Sequence, residues 1–173
     1  MRIIGITGWS GAGKTTLILK LIPLLTAQGL RVSTLKHAHH MFDVDTPGKD
    51  SYEHRAAGAT EVLIASENRF AIMHELRGRP EPPLEVLIGK LSAVDLVLVE
   101  GFKRAPHPKI EVFRQANGKE PLHPEVPSIL AVASDTPFPH AGRPVLALDN
   151  ATEIARAALL MAVSPSAVHW REG

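Results

Sequence analysis

The 173 residues, 45% of them hydrophobic, suffice for one self-supporting domain over 1–173, and the absence of cysteine excludes both a disulfide framework and a thiolate metal site. A formal net charge of +1 and an aromatic content of 5% exclude the basic excess and stacking platforms on which nucleic-acid binding rests. The apolar runs are too short to span a bilayer and no leader pattern precedes the first strand, so a soluble cytoplasmic chain is expected, with neither membrane nor nucleic acid among its partners.

The first apolar run, Arg2 to Thr7, has strand length and leads directly into G-W-S-G-A-G-K-T-T, Gly8 to Thr16. Leu17, Ile18, Leu21, Leu24 and Leu25 then recur at helical spacing. They predict a helix over Lys14 to Gln28, interrupted by Pro23 and stopped by a left-handed Gly29. A second strand is expected over Arg31 to Lys36. Asp50 and Glu53 stand at the N-cap and N3 positions of a capping box, which predicts a short helix ending at Gly58. Glu61 to Ala65 and Arg69 to Met73 read as a hairpin turning near Asn68.

Leu84, Leu87, Ile88 and Leu91 share one face of a predicted helix over Leu84 to Leu91. Strands are expected at Val94 to Val99, Ile110 to Phe113, Ile129 to Ala133 and Val145 to Leu148. The proline-rich stretch Ala105 to Pro127, with its Asn117-Gly118 turn dipeptide, reads as an excursion from the sheet core. Asn150 is placed to cap a last helix reaching about Val163, with Ile154, Ala157, Ala158 and Met161 on its buried side. Strands alternating with helices predict an α/β fold of the P-loop NTPase type: a mainly parallel open sheet flanked by helices, with an added antiparallel hairpin.

The segment Gly8 to Thr16 matches G-x-x-x-x-G-K-[ST] in full, between a strand and a helix. Gly8, Trp9, Ser10, Gly11, Ala12, Gly13, Lys14, Thr15 and Thr16 therefore form a candidate phosphate cradle. Glycines free the backbone N–H groups to face phosphate oxygens, Lys14 supplies an ammonium to the outer phosphates, and the Thr15 hydroxyl suits a magnesium ion. Glu100 closes the run Asp95 to Val99. In an open parallel sheet ligands lie beyond the carboxyl ends of the strands, so Glu100 is the candidate second group on the metal.

Between Lys36 and His54 the sequence concentrates His37, His39, His40, His54, Asp43, Asp45, Asp50 and Lys49. His37 is a candidate nucleotide contact, and Asp45 a candidate for orienting an attacking water or adding a water-mediated metal contact. His37 and His39 would share a side if the segment stayed extended, which opens the alternative of a transition-metal site. Asp135 follows the strand Ile129 to Ala133 where guanine-reading segments fall, although no complete N-K-x-D motif is present. Capping by Asp135 is the alternative. Lys103, Arg104 and Arg55 are further cations available to phosphate.

Taken together, G-W-S-G-A-G-K-T-T, L-K-H-A-H-H, F-D-V-D-T-P-G-K-D-S, H-R-A-A-G-A, L-V-L-V-E-G-F-K and K-I-E-V resemble the molybdopterin-guanine dinucleotide biosynthesis adaptor protein B family, from the first strand to about Val112. The resemblance implies a dimeric P-loop GTP-binding protein with weak GTPase activity, acting beside the guanylyltransferase that joins GMP to molybdopterin. It implies that Gly11, Gly13, Lys14, Thr15 and Thr16 hold GTP, that Thr15 and Glu100 attend Mg2+, and that the loop from His37 to Asp50 faces nucleotide or partner. Two other classes share the phosphate loop. A small-molecule P-loop kinase would carry an arginine-rich lid, which is not found here; a metal-delivery GTPase would use the histidines as ligands.

Overall fold

Alternate residues of the buried strands feed two separate apolar layers, and this alternation organises the fold. The computed structural model describes residues 1–38, 42–138 and 140–170. In chain order the elements are β1 (Arg2–Thr7), α1 (Lys14–Thr26), β2 (Val32–Lys36), α2 (Asp50–Ala56), β3 (Glu61–Ala65), β4 (Phe70–His74), α3 (Leu84–Ile88), β5 (Leu96–Glu100), β6 (Lys109–Phe113), β7 (Ile129–Ser134), β8 (Val145–Ala147) and α4 (Ala151–Met161). Six strands form one sheet in the order β2-β5-β1-β6-β7-β8. Every pairing in it is parallel.

Ile4, Ile6, Leu96 and Leu98 pack with Leu17, Leu21 and Leu25 of α1 and Ile154 and Ala158 of α4. Their neighbours Ile3, Val97 and Val99 point the other way, onto Leu84 and Ile88 of α3 and Val168. With both faces covered, β5 is buried along its whole length, as an unbroken apolar run requires. The chain divides into two compact units, Met1–His37 with Leu84–Gly173, and Ala38–Pro83.

Several elements differ from their sequence-based bounds. The α1 helix ends at Thr26, short of Gln28, while Gly29 takes the expected left-handed conformation at φ 82°. The α3 helix ends at Ile88, not Leu91. Beyond it Lys90 N–H and Leu91 N–H donate to Leu87 O and Ile88 O, so the last turn tightens to i, i+3 bonds. Asp50 is the first helical residue of α2, and the N-cap is Lys49. The capping box does not form; Glu53 Oε1 instead accepts the N–H of Gly48, the residue before the N-cap, at 3.3 Å. On α4 the expected Asn150 cap is present, accepting Glu153 N–H at 3.1 Å. Its fully buried positions are Ile154, Ala155 and Ala158, with Ala157 and Met161 only partly covered.

The largest correction concerns Ala105 to Pro127. This stretch contributes β6 to the interior of the sheet, between β1 and β7. Its prolines, at 106, 108, 121, 124 and 127, bracket the strand without entering it, so no ladder donor is lost.

The base of β6 is polar and fully enclosed. Lys109 Nζ donates to Ala105 O, to His107 O at 2.9 Å and to Ser128 Oγ at 2.7 Å, and burial lowers its pKa to about 8. His107 lies against the β1 backbone at Gly5, where a Cβ would fall 2.6 Å from Nε2. Burial, with Lys109 beside it, lowers the imidazole to about 3. Both ring nitrogens lack a hydrogen-bond partner among the described residues.

In the unit Ala38–Pro83, β3 and β4 form the expected antiparallel hairpin, closed by Ser66 N–H donating to Arg69 O at 2.8 Å. Arg55 of α2 holds Asp43 at 3.0 Å, Glu75 at 2.8 Å and Asp45. Val62 and Met73 are buried on one face of the hairpin, whereas Leu63, Ile72 and Phe70 on the other are exposed.

Candidate nucleotide site at the phosphate loop

The β1 strand ends at Thr7, and the chain then turns through Gly8 and Gly13 in conformations that side chains avoid, φ 142° and 97°. A Cβ on Gly8 would stand 2.5 Å from Val112 O, and one on Gly13 would stand 3.2 Å from Arg114 Nε. Gly13 is the N-cap of α1. No side chain caps the helix, and its first turn holds no acidic residue, so the terminal N–H donors and the positive end of the dipole stay directed at the loop. Such a terminus favours an anion.

Three lysines converge here. Lys14 Nζ donates to Trp9 O at 2.9 Å within the loop. Burial lowers the Lys14 pKa; Glu100 opposes this, and Lys103 and Lys36 add to it. Thr15 Oγ1 donates to Glu100 Oε1 at 2.7 Å, and Lys36 Nζ lies 3.5 Å from the hydroxyl and 3.6 Å from the carboxylate. The two oxygens thus already receive a cationic group. A hydroxyl whose hydrogen is turned to a carboxylate keeps lone pairs free, and an all-oxygen donor set suits a hard divalent ion such as Mg2+.

The loop is braced from outside by a segment that sequence reading took for a turn. Asn117 Nδ2 donates to Ser10 O at 2.9 Å, Arg114 Nε to Ala12 O at 3.2 Å, and Trp9 Nε1 to Glu120 O at 2.8 Å. The brace thus takes up the Ser10 and Ala12 carbonyls and fixes the Trp9 ring. Asp135 anchors this brace, since its Oδ1 accepts Gln115 N–H at 3.0 Å and its Oδ2 lies 4.0 Å from Arg114 Nη1. The only sequence signal for the brace was Asn117-Gly118.

His37 continues β2, its N–H donating to Glu100 O at 3.0 Å and its ring 4.7 Å from that of Phe102. Thr16 is exposed on the first turn of α1. Asp45 belongs to the other unit, where the hydrogen bond from Arg55 holds its carboxyl below the usual range. His39 and His40 lie outside the described residues. Among the described residues no three His, Asp or Glu side chains gather as a metal-binding group, and no helix is long and apolar enough to cross a membrane.

The parallel sheet, the glycine loop capping α1 and the carboxylate at the end of β5 define a protein of the P-loop NTPase fold. The description "Molybdopterin guanine dinucleotide synthesis protein B" (MobB) matches residues 3–135, and the chain belongs to that family. The chain is 46% identical over 139 residues to the molybdopterin-guanine dinucleotide biosynthesis adapter protein of Escherichia coli K12, covering 79% of each chain. The corresponding Haemophilus influenzae protein is also 46% identical, over 157 residues, covering 88% of this chain and 85% of its own. A crystal structure of molybdopterin-guanine biosynthesis protein B superposes with TM-score 0.72 at 30% identity, covering 91% of this chain and 98% of that one. The Bacillus subtilis MobB structure gives TM-score 0.73 at 25% identity, covering 95% and 99%.

Proposed function

We propose that the protein is an adapter in molybdopterin-guanine dinucleotide biosynthesis that binds GTP with Mg2+ at Gly8 to Thr16, hydrolyses it slowly, and assists the guanylyltransferase. The observation that carries the nucleotide reading is the Thr15–Glu100 hydrogen bond at 2.7 Å, which sets a hydroxyl and a carboxylate together at the N-terminus of α1. Thr15 and Glu100 would hold the metal, which neutralises phosphate charge when bound. Lys14 would leave Trp9 O for the outer phosphates. The adapter reading rests on the names of the relatives at 46% identity.

On this reading Glu100 and Asp45 serve the slow hydrolysis, Asp45 as a carboxylate kept ionised by Arg55. His37 and Asp135 face the nucleotide, Asp135 as the acceptor for guanine N–H donors. The exposed face of Leu63, Ile72 and Phe70 supports a homodimer, and the chain would work in the cytoplasm.

The test is calorimetric titration with GTP and with ATP, with and without Mg2+. Magnesium-strengthened preference for GTP is expected, and Lys14→Ala should weaken triphosphate binding by about 1.5–3 kcal/mol. Glu100→Gln should remove most of the magnesium dependence. Equal binding of ATP with phosphate transfer to a small acceptor would overturn the reading in favour of a kinase.

A further inference from the structure

Immediately after β5 two consecutive residues, Gly101 at φ 94° and Phe102 at φ 44°, take left-handed backbone. A residue with a Cβ adopts that conformation only where its surroundings hold it there. Phe102 is held by its ring contact with His37 and by packing on the layer of Ile3, Val97 and Val99. Gly101 permits the approach, because a Cβ there would stand 3.1 Å from His37 Cβ. The double turn reverses the chain at the strand end and sets Lys103 over the phosphate loop.

Lys103 Nζ sits 4.1 Å from the centroid of the Trp9 ring. The indole is a fixed platform, tied through Nε1 to Glu120 O. The carbonyl of the same Trp9 holds Lys14 Nζ. Two ammonium groups at the loop's mouth therefore rest on one residue, one on its carbonyl and one on its π face. Burial depresses the Lys103 pKa, and Lys103 in turn helps depress that of Lys14, which places their charges close enough to repel. An aromatic face holds an ammonium far less strongly than a phosphate oxygen does.

We infer that Lys103 is a second phosphate-binding lysine, resting on the Trp9 indole and passing to the terminal phosphate of a nucleoside triphosphate when one binds. The terminal phosphate is its target because Glu100, on the same strand end, is bonded to Thr15, and a metal held by that pair would bridge the two outer phosphates. The inference rests on the nucleotide-binding reading above and adds a residue that distinguishes triphosphate from diphosphate.

Calorimetry with a non-hydrolysable GTP analogue and with GDP, both with Mg2+, on wild type, Lys103→Met and Lys103→Arg tests it. The expected result is that Lys103→Met loses about tenfold or more in triphosphate affinity and less than about twofold in diphosphate affinity. Lys103→Arg should restore most of the loss. In a Trp170→Phe background, Trp9 emission should shift on adding saturating triphosphate to wild type, and shift by less in Lys103→Met, where no ammonium leaves the indole. Equal loss for both nucleotides would move Lys103 to an inner phosphate, and wild-type triphosphate affinity in Lys103→Met would reduce it to packing on Trp9; either overturns the inference. Failure of the wild type to bind either nucleotide would sink the nucleotide reading itself, and this one with it.

Discussion

The two units of the chain are held by different physics. In the unit carrying the phosphate loop, β5 and most of β1 are buried on both faces, and apolar layers above and below account for the fold. In Ala38–Pro83, α2 buries no residue, one hairpin face is exposed, and a single guanidinium is shared by Asp43, Asp45 and Glu75. Apolar burial responds to the volume a substitution removes, whereas an ion cluster responds to the charge state of its carboxylates. Position within the chain therefore decides what a substitution does.

Leu98→Ala, in the fully buried centre of β5, should have the largest effect, about 2–5 kcal/mol of global stability in denaturant unfolding. A loss below about 1 kcal/mol would show that this layer is not the main source of stability. Next comes the acid limb set by His107. Its imidazole is depressed to about 3 in the fold, so the unfolded chain binds the additional proton as pH falls below 6.5. Stability should then fall by up to about 1.4 kcal/mol per pH unit down to that value, and His107→Leu should flatten the limb in pH-dependent melting.

Asn150→Ala should cost about 1 kcal/mol through the lost cap on α4, read as a shift in melting temperature. Arg55→Met should act locally. Hydrogen exchange should accelerate across α2 and the hairpin while amides of β1 and β5 stay protected. The depressed Asp45 carboxyl makes this pair stabilising above the ordinary carboxylate range and progressively lost as pH falls through it, so the wild type should show the same local loosening in acid. Smallest is Ile72→Ser on the exposed hairpin face, within about 0.5 kcal/mol in the monomer. A much larger, concentration-dependent loss would show that a second chain covers that face.

What could be read from sequence was what short range determines. The phosphate loop, the Gly29 stop, the Asn150 cap and the carboxylate closing β5 each depend on residues within a few positions of one another. Strand order is not so encoded. Nothing local to Lys109–Phe113 says that it lies between β1 and β7, and its flanking prolines suggested the opposite. The brace was hidden for the same reason, since Asn117 reaches Ser10 and Glu120 reaches Trp9 across more than 100 positions. Asn117-Gly118 does form a turn, with Gly118 left-handed at φ 61°, and the same Asn holds the loop. The capping box at Asp50 failed by one residue because Lys49, extended at φ −96°, took the N-cap position.

The strand order also sets a timetable. Of the strands in the sheet the earliest in the chain, β1, sits in the middle, and both of its neighbours, β5 and β6, are translated after the whole Ala38–Pro83 unit. At an elongation rate of about 5–20 residues per second, β1 waits roughly 5–20 s for β5 to leave the ribosome. Throughout that interval the apolar Ile3, Ile4 and Ile6, and the glycine loop they support, have no sheet to join. The hairpin, whose strands are separated by only a tight turn, has both halves available long before then. The glycine loop is therefore synthesised well before the strands that flank β1 and takes shape only after them.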